Sequence, residues 1–268
     1  MIHTPWTHPW EYAIDPFRIG NDLFYVGNRY VSSYLINTGH GLILIDSGLP
    51  QTLYLLLESI RRLGFHPEDI AYVLHTHGHY DHIGGTRALV GISRARTAIG
   101  TADAEMIAER PELTRTHELG LEFFEGFEVD LALTDGQTIK LGHTTVTCVH
   151  TPGHTAGCFS FFFDTIERGR ILRAGLPGGR GLSSLSGDYL SHYGLPVTCR
   201  ESYLASIRKL RSRQVDITLG EHPDQNGTFH KLAGMTEECN PFVDKGEWLV
   251  TLASLEEGAM EAFTREAA

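Results

Sequence analysis

Between Val73 and Gly85 the chain reads Val-Leu-His-Thr-His-Gly-His-Tyr-Asp-His-Ile-Gly-Gly, which sets His75, His77, His79, Asp81 and His82 within eight positions. Imidazole and carboxylate groups are the side chains that ligate transition metals, so this density points to a metal site. His77 and His79 are two residues apart, and in extended chain both rings project to one side. Two imidazoles half-fill a tetrahedral zinc site, and the third ligand must come from elsewhere in the chain. Asp81 and His82 are adjacent and point differently, which suits a second ion nearby. The spacing H-x-H-x-D-H over residues 77–82 therefore predicts a two-metal hydrolase. Gly78 permits a tight backbone, and Gly84-Gly85 lets the next helix pack close.

Two further histidines can complete the sites. His154 lies in Thr151-Pro-Gly-His-Thr155, after a strand signal ending at His150, and His222 lies in Gly220-Glu-His-Pro223 after another. The expected division is His77, His79 and His154 for one metal, and Asp81, His82 and His222 for the other. His75, His143, His150, His192 and His230 are read as structural or supporting. Asp46 ends an apolar strand, either as a helix cap or as a carboxylate bonding a metal histidine from behind; the second reading is preferred. No G-x-S-x-G stretch supplies a serine nucleophile. Cys148, Cys158, Cys199 and Cys239 show no C-x-x-C spacing and are read as free thiols.

These residues need strand ends to bring them together. Strand signals cover 22–27, 31–38, 41–46, 70–74, 96–99, 138–141, 144–150, 158–163, 170–173 and 215–219. Leu53, Leu56, Leu57, Ile60 and Leu63 recur at helical spacing before Gly64. Further helices are expected over 83–90 and 102–108, around Leu204, Ile207 and Leu210, and from Trp248 to Phe263. The histidine run is then a loop at the C-terminal end of a strand, where open α/β sheets place their ligands. The Gly-rich stretch 175–181 is expected to be loop. Residues 110–130, acidic with Phe123, Phe124 and Phe127, are either a surface loop with its rings tucked inward or a flap over a cleft. The order of elements suggests two βα-rich halves facing each other in a single domain over 1–268, with an irregular arm at about 1–16.

At 268 residues the chain can bury a substantial core. The net charge of −11 argues against a nucleic-acid partner, which demands a basic face. No stretch reaches the roughly 18 consecutive apolar residues of a membrane span. The opening Met-Ile-His-Thr-Pro-Trp lacks the basic and apolar regions of a secretory signal. The expectation is a cytoplasmic protein if Met1 is the native start, and a periplasmic or secreted one if a signal was removed. A small-molecule substrate is expected, with no nucleic-acid or membrane partner.

The motif at 77–82, Thr-Pro-Gly-His-Thr at 151–155 and the late His222 resemble the metallo-β-lactamase superfamily, and within it the third metallo-β-lactamase subclass. Pro16-Phe-Arg-Ile19, Tyr25-Val-Gly27, Ser33-Tyr-Leu-Ile36, Leu44-Ile-Asp-Ser-Gly-Leu-Pro50, Gly64-Phe65 and Asn240-Pro-Phe-Val-Asp244 extend the likeness over nearly the whole chain. The resemblance implies an α/β fold, an αββα sandwich of two mixed sheets with helices on the outer faces. It also implies two zinc ions per chain, a three-histidine site beside an Asp-His-His site, and a role in antibiotic resistance. The implied reaction is opening of a β-lactam amide by a metal-bound hydroxide, with Asp81 orienting the nucleophile as the catalytic residue.

Two departures bear on the substrate. Lactonases, thioesterases and phosphodiesterases of this superfamily typically bridge their metals with an Asp about twenty residues beyond the Thr-Pro-Gly-His histidine. Here that region is Arg173-Ala-Gly-Leu-Pro177, with no carboxylate, which fits the β-lactamase subclass. That subclass, however, typically carries serines where this chain has Gly175 and Pro177, and they help hold the substrate carboxylate. Arg173, Arg180, Ser183 and Ser184 are candidate replacements. The alternative is a hydrolase of a lactone, ester or thioester on the same metals; the non-enzymatic alternative is a metal-binding protein.

Overall fold

The computed structural model describes residues 3–267. Among these residues, twelve strands form two mixed sheets. In the first, β1 (Phe17–Arg18), β2 (Leu23–Tyr25), β3 (Tyr34–Asn37), β4 (Leu42–Ile45), β5 (Ile70–Leu74), β6 (Arg96–Gly100) and β7 (Leu131–Leu133) lie side by side in chain order. Pairing is antiparallel from β1 to β4 and parallel from β4 to β7. The second comprises β8 (Thr138–Leu141), β9 (Thr144–His150), β10 (Phe159–Glu167), β11 (Arg170–Leu176) and β12 (Ile217–Thr218), in the order β12-β11-β10-β9-β8. Only the β11–β12 pair is parallel there.

Alternation along the strands builds a layered core. In β4, Ile43 and Ile45 join the central cluster between the sheets, while Leu42 and Leu44 join the outer one. That outer cluster takes Leu53, Leu56 and Ile60 from α1 (Leu53–Arg62) and Leu89 from α3 (Thr86–Ser93). In β10, Phe159, Phe161 and Phe163 face inward. Phe162 faces the opposite side, against Tyr203 and Ile207 of α6 (Thr198–Leu210) and Trp248 and Leu252 of α8 (Glu247–Ala267). Strands buried on both faces need such continuous apolar runs. The expected αββα sandwich is the observed one.

Three local features differ from expectation. The helix expected over 83–90 is two helices, α2 (Tyr80–Ile83) and α3, so Asp81 and His82 lie on a helical turn rather than in loop. The break falls at Gly84-Gly85 because the chain crosses the 47–50 turn there: a Cβ on Gly85 would stand 2.6 Å from the Ser47 carbonyl oxygen. Gly175 and Leu176 belong to β11, not to a loop, since β10 pairs with them as Phe162↔Gly175 and Phe161↔Leu176. The short β1, β7, α5 (Gly187–Tyr193) and α7 (Thr228–Ala233) were not anticipated; each offers too few residues for a periodic signal.

The helix over 101–109, α4 (Thr101–Glu109), is as expected. Residues 110–130 hold one 3₁₀ turn, Pro111–Thr114, and are otherwise irregular. Phe124 and Phe127 pack with Tyr80, Ile99 and Ile107, whereas Phe123 is exposed. The arm holds one 3₁₀ turn, Pro9–Tyr12, is otherwise irregular, and has Trp6 packed against the same cluster; its first two residues are outside the described ones. All four cysteines are free. No helix among the described residues is long and apolar enough to cross a membrane.

Candidate metal centre

The histidine run leaves the sheet between β5 and α2. His75 still pairs with the β6 backbone, its N–H donating to the Ala98 carbonyl at 2.9 Å. Asp46, at the end of β4, then fixes the turn by accepting from the Thr76 N–H at 2.9 Å and the Thr76 hydroxyl at 2.8 Å. Asp103 of α4 accepts from the Gly78 N–H at 2.7 Å, and also from the Thr155 hydroxyl at 2.7 Å and the Gly157 N–H at 2.8 Å. One buried carboxylate thus ties the loop that carries His77 and His79 to the loop that carries His154. Gly157 is needed for this approach, because a Cβ there would stand 2.4 Å from the Asp103 nitrogen.

The six predicted side chains converge as two groups. His77, His79 and His154 form one and Asp81, His82 and His222 the other, each with ligand-type atoms within 4.8 Å of one another. Ring centroids are 4.7 Å apart for His77–His79, 4.8 Å for His77–His154 and 4.5 Å for His79–His154. An Asp81 oxygen lies 3.6 Å from His82 Nε2 and 3.5 Å from His222 Nε2. The groups adjoin, with the His77 and His82 rings 4.2 Å apart. All are buried except His222, which is partly exposed.

What stands behind these rings directs their free nitrogens inward. His154 Nδ1 donates to the Gly181 carbonyl at 2.7 Å, and His222 Nδ1 to the Tyr30 carbonyl at 2.7 Å. His82 Nδ1 meets the Asp46 carboxylate at 2.9 Å, and His77 Nδ1 lies 3.2 Å from that of Glu221. An imidazole held through Nδ1 turns the Nε2 lone pair toward the centre, which is the orientation a metal ligand requires.

Charge is distributed to match. Burial, with His77 beside it, lowers the His154 pKa to about 3, and burial with His154 and His77 holds His79 well below the usual histidine range. Both are therefore neutral with a lone pair to donate. Burial opposes ionisation of Asp81, yet the neighbouring His82 and His222 outweigh it and lower its pKa. Burial likewise opposes charging of His82, but Asp81 and Asp46 raise its pKa to about 9. His77 does the same for Glu221, whose carboxyl is held well below its ordinary value despite burial. Neutral His79 and His154 beside an ionised Asp81 fit divalent cations, and the proton that His82 holds is one a cation bound there would displace.

The centre opens into a cleft of about 270 Å³, bordered also by Tyr30, Arg115, Leu119, Ser183 and Glu221. Of the tentative substrate residues, Ser183 stands in the wall, its hydroxyl accepting from Arg115 Nη1 at 2.5 Å. Ser184 supports His154, donating to its carbonyl at 2.7 Å. Gly175 does not reach the cleft: a Cβ there would meet Val215 Cγ2 at 2.8 Å and Trp248 Cζ3 at 3.1 Å, on the α8 side of the sheet. Arg180 is also corrected. It is not among the residues bordering the cleft, borders instead a small void with Tyr203 and Leu252, and donates its backbone N–H to Glu221 at 3.0 Å. Arg173 pairs with Asp164 along the sheet, at 2.5 Å.

Sequence reasoning missed Arg115, Tyr30, Glu221 and Asp103. Glu221 had a signal in its position next to His222. Arg115 had almost none, being one of two arginines in an irregular acidic stretch. The carboxylate expected to be missing from 173–177 is missing from the cleft too, since neither Asp164 nor Asp188 borders it. Glu221 does not take that place, because its oxygens are occupied by the Gly179 N–H at 2.6 Å, the Arg180 N–H and His77.

Comparison with known proteins agrees with this geometry. A subclass B3 metallo-beta-lactamase of Bradyrhizobium japonicum, BJP-1, superposes with a TM-score of 0.85 at 28% identity, over 96% of this chain and 97% of that one. The FEZ-1 metallo-beta-lactamase of Legionella gormanii gives 0.85 at 28% identity, over 96% and 98%. Among curated proteins, an N-acyl homoserine lactonase of Bacillus sp is 25% identical over 162 residues, 52% of this chain and 60% of that protein, so the match spans well under the relative's full length. The model of the metallo-beta-lactamase superfamily matches residues 26–175, and the chain, with its three-histidine and Asp-His-His groups, belongs to that superfamily.

Proposed function

We propose that this protein is a di-zinc hydrolase that opens the amide of a β-lactam ring. The observation that carries the reading is the pairing of a three-histidine group with an Asp-His-His group, in a cleft whose remaining carboxylate, Glu221, is fully engaged. His77, His79 and His154 would hold one ion, and Asp81, His82 and His222 the other. Bound there, the ions supply Lewis acidity and an activated water at neutral pH.

The chain's own residues then position the reactants. Asp81 faces His82 and His222 through one oxygen, leaving the other to accept a hydrogen bond from the attacking water. Arg115 sits in the cleft wall with Nη1 on Ser183 and Nε without a hydrogen-bond partner among the described residues. It is the cation a substrate carboxylate would meet, in the role for which Arg173, Arg180, Ser183 and Ser184 were the candidates.

Turnover of a chromogenic β-lactam by the zinc-loaded protein, with two zinc ions per chain by metal analysis, tests the proposal. His154→Ala or Asp81→Ala should abolish that turnover while circular dichroism stays native; undiminished turnover in both would overturn the assignment. The second reading, a lactone, ester or thioester hydrolase, is favoured by the lactonase relative and by the absence of cleft serines from 175–177. Turnover of lactones without β-lactams would replace the first reading by the second. Failure with both classes, from fully loaded protein, would leave a metal-binding protein.

A further inference from the structure

A second cavity of about 360 Å³ adjoins the metal centre from the α4 side. This volume is within the ~300–1,000 Å³ range of small-molecule pockets. Its walls are Ala102 and Met106 of α4, Leu113, Leu190 of α5, and Leu195 and Pro196 ahead of α6. His79 and His154 line it as well as the cleft, so the three-histidine group forms a wall common to both spaces. Arg115 and Ser183, in contact with each other, border the cleft and not the cavity. Leu113 and Ser184 line the cavity, Leu119 and Gly181 line the cleft, and the Arg115 guanidinium lies 5.6 Å from the centroid of the Tyr189 ring.

The chemistry of this wall selects an uncharged occupant. Asp103 borders the cavity, but its oxygens are taken by Gly78, Thr155 and Gly157. Glu105 and Glu109 are exposed, and with Arg110 they mark the outer mouth. Nothing else among the lining side chains offers a free buried charge. A cavity open at one mouth and walled largely by apolar side chains gains by being filled with apolar groups. Met106 adds an adaptable wall.

We infer that this cavity is a subsite for an unbranched aliphatic acyl chain carried by the substrate, entered past His79 and His154 when the scissile carbonyl is at the metal centre. The inference rests on the proposed hydrolase reading for the placement of that carbonyl, but its test does not require turnover. The probe is a series of N-acylglycines from butanoyl- to decanoylglycine, which lack a strained ring and present a carboxylate to the metals. Affinity for the zinc-loaded protein is measured by calorimetry. Each buried methylene should tighten binding about fourfold, until the cavity is full. Leu195→Trp and Ala102→Phe, which fill it from opposite walls, should each flatten this dependence. An affinity independent of chain length in the wild-type protein overturns the subsite, as does a dependence kept in both variants. Failure of ring hydrolysis with the length dependence intact would overturn the hydrolase reading and leave the subsite standing.

Discussion

Asp46 ends β4 with a φ of 58°, in left-handed backbone that Asp and Asn tolerate better than other side chains. From there its carboxylate serves both Thr76 and His82, so the preferred reading of Asp46 as support for a metal histidine agrees with the geometry. The six predicted ligands were legible because a histidine's chemistry is carried by its own ring, and H-x-H-x-D-H spacing leaves few other uses for it. Glu221 and Arg115 were not, because only the fold sets a carboxylate 3.2 Å from His77 or a guanidinium against Ser183. Arg180 misled for the same reason: a cation near the site in sequence does not border the cleft in the fold. At this scale Arg115→Ala is the informative change. A charged hydrogen bond is worth about 1.5–3 kcal/mol, so KM for a carboxylate-bearing β-lactam should rise roughly 10–100-fold, with kcat little changed. An unchanged KM would remove Arg115 from substrate binding.

At the level of elements, strands were the most legible parts, since apolar, β-branched or aromatic runs bounded by turn residues mark β4 and β10. The end of β11 was not. Gly175 and Pro177 read as loop, yet pairing with β10 carries the strand to Leu176, and Gly175 is small because Val215 and Trp248 fill the space over it. Helix α2 escaped notice because four residues carry no period of their own. Its position depends on the 76–79 turn, which Asp103 shares with the His154 loop. Gly157→Ala tests that linkage. The added methyl would stand 2.4 Å from the Asp103 nitrogen and 2.6 Å from its carboxylate, so one of the two loops must yield. Overpacking of this kind costs about 1–3 kcal/mol. The expected result is a lower Tm together with weaker zinc binding at the three-histidine group; full zinc affinity would show that the loops are held independently.

For the whole molecule, the charge pattern of the centre sets the response to acid. His75 is fully buried, and burial lowers its pKa to about 4 although Asp46 is close; His154 lies lower still. Between pH 6.5 and 4 the unfolded chain therefore binds protons that the folded one refuses, and stability must fall as pH falls through that window. The lowered carboxyls of Asp81 and Glu221 act in the same direction at still lower pH. Thermal melts of chelator-treated protein should show Tm declining over this range, and His75→Gln should make the decline shallower. A Tm unchanged between pH 6.5 and 4 would contradict the burial of these rings. The sandwich was legible at this scale through the order of its elements, whereas the arrangement of its two sheets about a shared core follows from packing that no local pattern states.

Each ligand group draws on both halves of the sandwich. His77, His79, Asp81 and His82 follow β5 of the first sheet, while His154 follows β9 and His222 follows β12 of the second. Neither half alone carries a complete group, so a nascent chain cannot assemble the three-histidine group until the region around residue 154 has been made and docked, nor the Asp-His-His group until that around residue 222 has. Tight metal capture is then a late event in biogenesis. It would act as a rivet that sets the seam between halves already in register, and it should chiefly slow their separation rather than speed their meeting.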